Sequence, residues 1–362
     1  MSVEVVFVGV VLARFVLPLF IPLFPLPAII ACLLLDGVDQ TIFQTFGYDP
    51  PGYQSYDKAM DVFYLSIAYL ASLRNWTNPE AIKVSRFLFF FRQVGVVAFE
   101  LSGLRVLLLL FPNTFEYFFI AYEGVRTRRD PRRYSYKYWV VVAGAIWIFV
   151  KLPQEYWIHI AQLDLTDTIR DVSWFLPALV IAVLILLAVV YFVVRPRLSP
   201  ADWSWRFRAD PLPEGIDDAH ERAAFQAAHR KVFDATTVEK IFLVGLIGII
   251  FGEVLPGVES SSLQLFLGIA GFVVINSAIG VWAVKRGYAW DSAAVSFGIV
   301  FTTNAVLVVL ADVLLSRGSG HLDLVDALFF VLLFSILTSL YDRYRPIADY
   351  RAATTDRTGA GR

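Results

Sequence analysis

The chain has 362 residues, of which 57% are hydrophobic and only 17% charged, and its mean hydropathy is +0.62. That balance excludes an ordinary soluble enzyme and a nucleic-acid binder, and it fits a polytopic membrane protein. The net charge of -1 hides a segregated distribution in which basic residues crowd into a few loops. The single cysteine, Cys32, lies in an apolar run and rules out both an intrachain disulfide and a thiolate metal centre.

Residues 3–35 are almost wholly apolar, yet Pro18, Pro22, Pro25 and Pro27 each remove a backbone donor and crowd the preceding turn. They predict an interfacial or tilted helix over about residues 3–17, followed by a span that delivers Asp36 and Asp39 to the membrane surface. This start lacks a basic leader and a small-residue cleavage site, so it reads as retained structure. Gly47, Pro50, Pro51 and Gly52 mark a loop over residues 40–56. The next span, about 57–73, closes on Arg74 and Trp76, a basic and aromatic pair suited to an interface.

From Ile82 to Phe111 the apolar run is far longer than one bilayer needs at roughly 1.5 Å per residue. Either it forms one long, tilted span, or it breaks near Ser102-Gly103 and a second span continues to about Tyr122. Pro112, with Asn113 and Glu116 spaced as a capping box, favours the single span and a short amphipathic surface helix over 114–123.

The loop RTRRDPRRYSYK, residues 126–137, is the strongest topological marker and belongs inside. Spans follow at about 138–160, 173–195, 238–256, 263–284, 292–315 and 323–341. Alternation from the basic loop puts residues 196–237, Lys285-Arg286 and the region of Arg343, Arg345 and Arg351 on that same side. The expectation is an all-α polytopic transmembrane helical bundle of nine spans in the plasma membrane, with a cytoplasmic C-terminus and a cytoplasmic aspartate cluster. A ten-span alternative places the aspartates outside and gains Arg74, Lys83 and Arg86 as inside charges. Residues 1–137 and 138–345 form two membrane subdomains. Within 196–237 a helix over about 219–233 covers the bundle, and residues 346–362 form a disordered tail.

A charge at mid-bilayer costs about 2.5–3.5 kcal/mol on insertion scales, so each one asks for a partner or a cavity. Arg92 and Glu100 share a helix stripe, and Glu253 and Asp312 each add an acid to a later span. These four either pair for packing or line the polar path of a transporter or channel. Lys151, Glu155 and His159 repeat at i, i+4 and i+8 on a face interrupted by Pro153, as an interfacial ion pair or a proton relay. Gly248 and Gly252 predict close helix approach.

The stretch LDGVDQTIFQTFGYDPPGYQSYDKAMD holds Asp36, Asp39, Asp57 and Asp61 at the ends of two predicted helices. Carboxylates so gathered can hold Mg2+ or Mn2+ against a phosphate-bearing lipid or small-molecule substrate; alternatively they are solvated cap and loop residues. Their rhythm resembles the CDP-alcohol phosphotransferase motif D-x2-D-G-x2-A-R-x8-G-x3-D-x3-D, all four aspartates falling in register. The resemblance covers about 60 N-terminal residues and implies Asp36, Asp39 and Asp57 as metal ligands and Asp61 as general base. Gln40, Phe43, Gln44 and Tyr53 stand where that family has Gly, Ala, Arg and Gly, so the resemblance implies the metal site without the cytidine pocket. A third reading is a non-catalytic bundle that assembles with other membrane proteins as an oligomer.

Overall fold

The computed structural model describes residues 3–47, 53–161, 163, 165–197, 200–204, 206–254, 261–289, 293–315 and 324–359. Among them every regular element is helical, and six helices are long and apolar enough to cross a membrane.

The N-terminal prolines act as the sequence predicts. Helix α1 (Val3–Val16) gives way to a 3-10 turn over Leu17–Phe20, and Pro25 opens α2 (Pro25–Thr45) in its first turn, where its missing N–H costs nothing. The two helices fold back on each other, with Val6, Val10 and Phe7 against Phe43. Helix α3 (Tyr53–Asn75) is the axis of the bundle: from Ala59 to Leu73 every side chain is buried. A helix buried all round must satisfy its polar atoms within the protein, and Ser66 and Ser72 do so by donating to the carbonyls of Val62 and Tyr69.

Helix α4 (Pro79–Ser102) is capped by Asn78, which accepts from the N–H groups of Glu80 and Ala81 at 2.8 and 3.2 Å. It ends at Gly103, whose φ of +68° closes a left-handed cap that a side chain would strain. The chain then turns back along α4 as α5 (Val106–Leu110) and α6 (Thr114–Arg126). Phe111 presses on Gly95, Phe115 lies 5.6 Å from Phe89, and the Thr77 N–H donates to the Tyr122 hydroxyl at 3.1 Å. The run 82–111 is therefore two antiparallel legs rather than one span, because the Gly103 cap and Pro112 both break it. Nor is α6 a surface helix. Phe115, Phe118, Phe119 and Tyr122 are fully buried, and its polar face is covered as well, Glu123 accepting from Trp76 Nε1 and pairing with Arg126, each at 3.0 Å.

This hairpin places the aspartates. Asp57 and Asp61 sit at the start of α3, and Arg74 near its end, roughly 20–25 Å away along the helix. Asn78 Nδ2 donates to the carbonyls of Pro131 and Tyr134, so the basic loop adjoins the Arg74 end. The acidic end of α3 and the basic loop thus lie at opposite ends of the helix, contrary to the nine-span reading that set them on one side. Single cysteines at Phe46→Cys and Arg133→Cys should accordingly react with an impermeant maleimide from opposite faces of sealed vesicles; labelling from one face would contradict the hairpin. Cys32, 5% exposed, will not compete.

Helix α7 (Tyr136–Ile160) contains π-helical turns at Trp147–Lys151 and Tyr156–Ile160 on either side of Pro153, which cannot donate to the helix ladder. Helix α8 (Phe175–Arg197) is apolar and none of its described side chains is buried. Helix α9 (Ala219–His229), capped by Asp218, lies across the bundle as expected but stops at Arg230.

The C-terminal helices are α10 (Ala235–Val254), α11 (Ser262–Lys285), α12 (Ala293–Leu315) and α13 (Leu324–Gly359). Close approach uses Gly245 and Gly248, where a Cβ would strike Phe266, Ile269 and Phe334. The expected disordered tail is instead helical as far as Gly359. Arg351 anchors it by donating to the carbonyls of Arg74 and Trp76 at 2.6 and 3.1 Å, a long-range contact that a polar composition does not announce.

Candidate metal centre

Spacing of i, i+3 on α2 and i, i+4 on α3 sets each aspartate pair on one helix face, and the antiparallel crossing turns the two faces toward each other. Into the gap α1 inserts Arg14. Its Nη1 donates to Asp39 and, at 3.2 Å, to Asp57; its Nη2 donates to Asp36 and, at 3.1 Å, to Asp61. Lys58 Nζ donates to Asp57 at 2.7 Å and lies 3.8 Å from Asp61. Arg14 and Asp39 are 4% and 0% exposed, whereas the side chains of Asp36 and Asp57 keep 25% and 18% of their surface. The cage is closed on the Asp39 side and open between Asp36 and Asp57.

Four carboxylates facing two cations leave a formal excess of two negative charges in a largely dehydrated place. Buried acids of one sign must take up protons or a cation. Oxygens of Asp36, Asp57 and Asp61 all lie within 4.8 Å of one another. Ligands on opposite sides of Mg2+ are about 4.2 Å apart and those of Ca2+ about 5 Å, the same range as this spacing, while the gap itself holds the Arg14 guanidinium, whose Nη1 donates to Asp57 and Nη2 to Asp36 and Asp61. Asp39, fully buried, is not among the three, and the converging set has Asp61 in the place that the motif resemblance gives to Asp39.

No family model, curated protein or solved structure matches this chain. Function has to be judged from side-chain placement.

A second polar group, legible only in part from the sequence, lies beside the cage. Tyr64 donates to Glu116 Oε1, and Asn113 Nδ2 donates to Glu116 Oε2 at 3.0 Å. The Asn113 backbone N–H donates to Glu155 Oε1 at 3.1 Å, and Glu155 also holds Lys151 at 3.4 Å and His159 at 3.0 Å. Lys151 stands 4.8 Å over the Tyr117 ring. The i, i+4, i+8 pattern located this face, but it points into the bundle rather than to an interface, and all three side chains are buried. The insertion of Arg14 follows from how α1 packs; its signals in the sequence are a lone arginine in an apolar run and Pro18 four residues on.

Of the four residues expected to line a polar path, three have described side chains. Arg92 is buried and donates to the Phe111 carbonyl at 3.0 Å, tying the two legs of the hairpin, and Glu100 lies two turns further along α4, half-buried. Glu253 is exposed and accepts from Ser262 Oγ at 2.7 Å, and the side chain of Asp312 lies outside the described residues. Asn304 is used structurally, accepting from Asn276 at 2.6 Å and donating to Ser335 at 2.9 Å, so that it ties α11, α12 and α13 together.

At the basic end, Asp202 joins the long loop to residues 126–137. It accepts from the Asp130 N–H at 3.0 Å and pairs with Arg129 and Arg133 at 3.2 and 2.6 Å. The backbone donor and then the two guanidinium groups hold its carboxyl below the usual carboxylate range.

Proposed function

We propose that this chain is an integral membrane protein that binds one divalent cation, Mg2+ or Mn2+, between Asp36, Asp57 and Asp61, and acts on a phosphate-bearing lipid as a diverged phosphotransferase. The observation that carries this reading is the convergence of three carboxylates, two of them partly open, in a cage with an excess of two negative charges. When bound, the ion supplies a Lewis acid for phosphate oxygens. Arg14, whose Nη1 and Nη2 donate to all four aspartates, holds the carboxylates together around the site. Lys58 offsets part of the charge of Asp57 and Asp61. Placement of the basic loops inside puts the cage toward the opposite leaflet, which reverses the cytoplasmic location expected from nine spans.

The test is Mn2+ titration of the purified protein in nanodiscs, followed by electron paramagnetic resonance. Asp57→Asn and Asp61→Asn should each weaken Mn2+ binding about tenfold or more while thermal unfolding shows a folded protein. Unchanged Mn2+ affinity in both variants would remove the basis for the site. Mn2+-dependent transfer of a labelled phosphate group to lipid, lost in the same variants, distinguishes catalysis from binding alone.

A further inference from the structure

Helix α9 crosses the basic end as a strap between two fixed points. On one side Ile216 is fully buried, and on the other Asp234 accepts from the Thr236 hydroxyl at 2.6 Å and the Thr237 N–H at 2.8 Å, capping α10. Between them, Ala219 is the one buried residue of the helix. Space lies on both of its flanks. Toward α11 and α12 a cavity of 130 Å³ is lined by Ala223 and Gln226 with Gly280, Ala283 and Thr303, and toward α13 one of 210 Å³ is lined by Phe225 and His229 with Arg345 and Asp349. A side chain that faces a void forgoes the dispersion contacts that seat a packed helix.

The ties of α9 to α13 are a ring contact, Phe225 edge-on to Tyr350 at 5.7 Å, and two hydrogen bonds that converge on Asp342. Gln226 Nε2 donates to the Asp342 carbonyl at 3.0 Å, and Arg230 Nη2, one residue past the helix, donates to its carboxylate at 2.6 Å. These bonds can open at small electrostatic cost. Asp342 keeps Lys240, whose ammonium stands 2.9 and 3.1 Å from its two oxygens, and Arg230 moves with the strap toward water. Breaking a buried ion pair is costly when it leaves a charge uncompensated, and here neither partner is left so.

The space beneath α9 continues to membrane level. Ile279, Ile299 and Thr303 line both the 130 Å³ cavity and one of 620 Å³ between α11 and α12, whose other walls include Ile275, Gly298 and Leu307. Lifting α9 joins that apolar slot to the water at the basic end.

We infer that α9 is a lid, latched through Gln226 and Arg230 to Asp342, that controls passage between the aqueous basic end and the slot between α11 and α12. Lids are drawn from the least stable parts of a fold, and α9 opens while α10, α11 and α13 stay packed.

The test is thiol reactivity of the full chain in nanodiscs, with sulfonatoethyl methanethiosulfonate as the charged reagent. Ala283, 2% exposed, lines the cavity beneath α9, and Lys285, two residues on, is exposed. Ala283→Cys should react about tenfold or more slowly than Lys285→Cys, because it waits for α9 to open. Asp342→Asn should quicken the reaction of Ala283→Cys about tenfold. Because Asp342 also holds Lys240, Gln226→Ala serves as an uncharged second variant, and it should quicken the same reaction about threefold, the effect of one hydrogen bond. Cys32, 5% exposed in α2, should stay unreacted throughout. Ala283→Cys as reactive as Lys285→Cys, its rate unchanged in both latch variants, or Cys32 reacting as fast as Ala283→Cys would each overturn the proposal.

Discussion

Arg14→Ala should be among the most damaging single substitutions in the chain, costing about 3–5 kcal/mol of stability at neutral pH. The guanidinium contacts all four aspartates, and its removal leaves Lys58, which touches two of them, in the cage. Asp39, with no exposure to solvent, loses its guanidinium partner. The loss is electrostatic, so acidification should restore part of the stability as the carboxylates take up protons, and added Mn2+ should do the same at neutral pH. Arg14→Lys should recover little, because a point charge cannot reach four acids as a planar fork does. Unfolding in mixed micelles, followed by tryptophan fluorescence, checks this. An Arg14→Ala protein as stable as the parent without a cation would mean that the cage does not hold the three N-terminal helices together.

The second large effect lies at Glu155. Its two oxygens accept from the Asn113 N–H at the start of α6 and hold Lys151 and His159 on α7, all in buried surroundings. Glu155→Leu leaves the Lys151 ammonium without its carboxylate and should cost about 3–5 kcal/mol. Glu155→Gln keeps an acceptor and should cost less, about 1–3 kcal/mol. Combining Glu155→Leu with Lys151→Met should recover much of the loss, a coupling that a double-mutant cycle reads directly in the same unfolding assay. Equal, small effects of the leucine and glutamine variants would show that the carboxylate is hydrated rather than paired.

The apolar spans were legible because a bilayer demands long runs without charge, and Pro25, Asn78 and Gly103 announce local backbone geometry that any environment would impose. The path between them was not. Both Gly103 and Pro112 break the chain; the ten-span alternative contains the hairpin that moves the acidic end of α3 away from the basic loop, and the weight given to Pro112 set it aside. Glu116 and Glu123 made α6 look amphipathic, but their partners Tyr64 and Trp76 lie 52 and 47 residues away. No periodicity within a helix reports a partner at that separation. The aspartate pairs were readable for the same reason in reverse, since i, i+3 and i, i+4 spacings are properties of single helices. How Arg14 comes to meet all four depends on how α1 packs, and that is decided by contacts such as Phe7 on Phe43 and Phe15 on Phe63.

Anomalous diffraction from crystals of the protein grown with Mn2+ tests the central claim most directly. One peak should appear between the carboxylates of Asp36, Asp57 and Asp61, with oxygens at about 2.2 Å and Arg14 still bonded to Asp39. A map with no peak there, and with Arg14 occupying the centre of all four aspartates at saturating Mn2+, would contradict it.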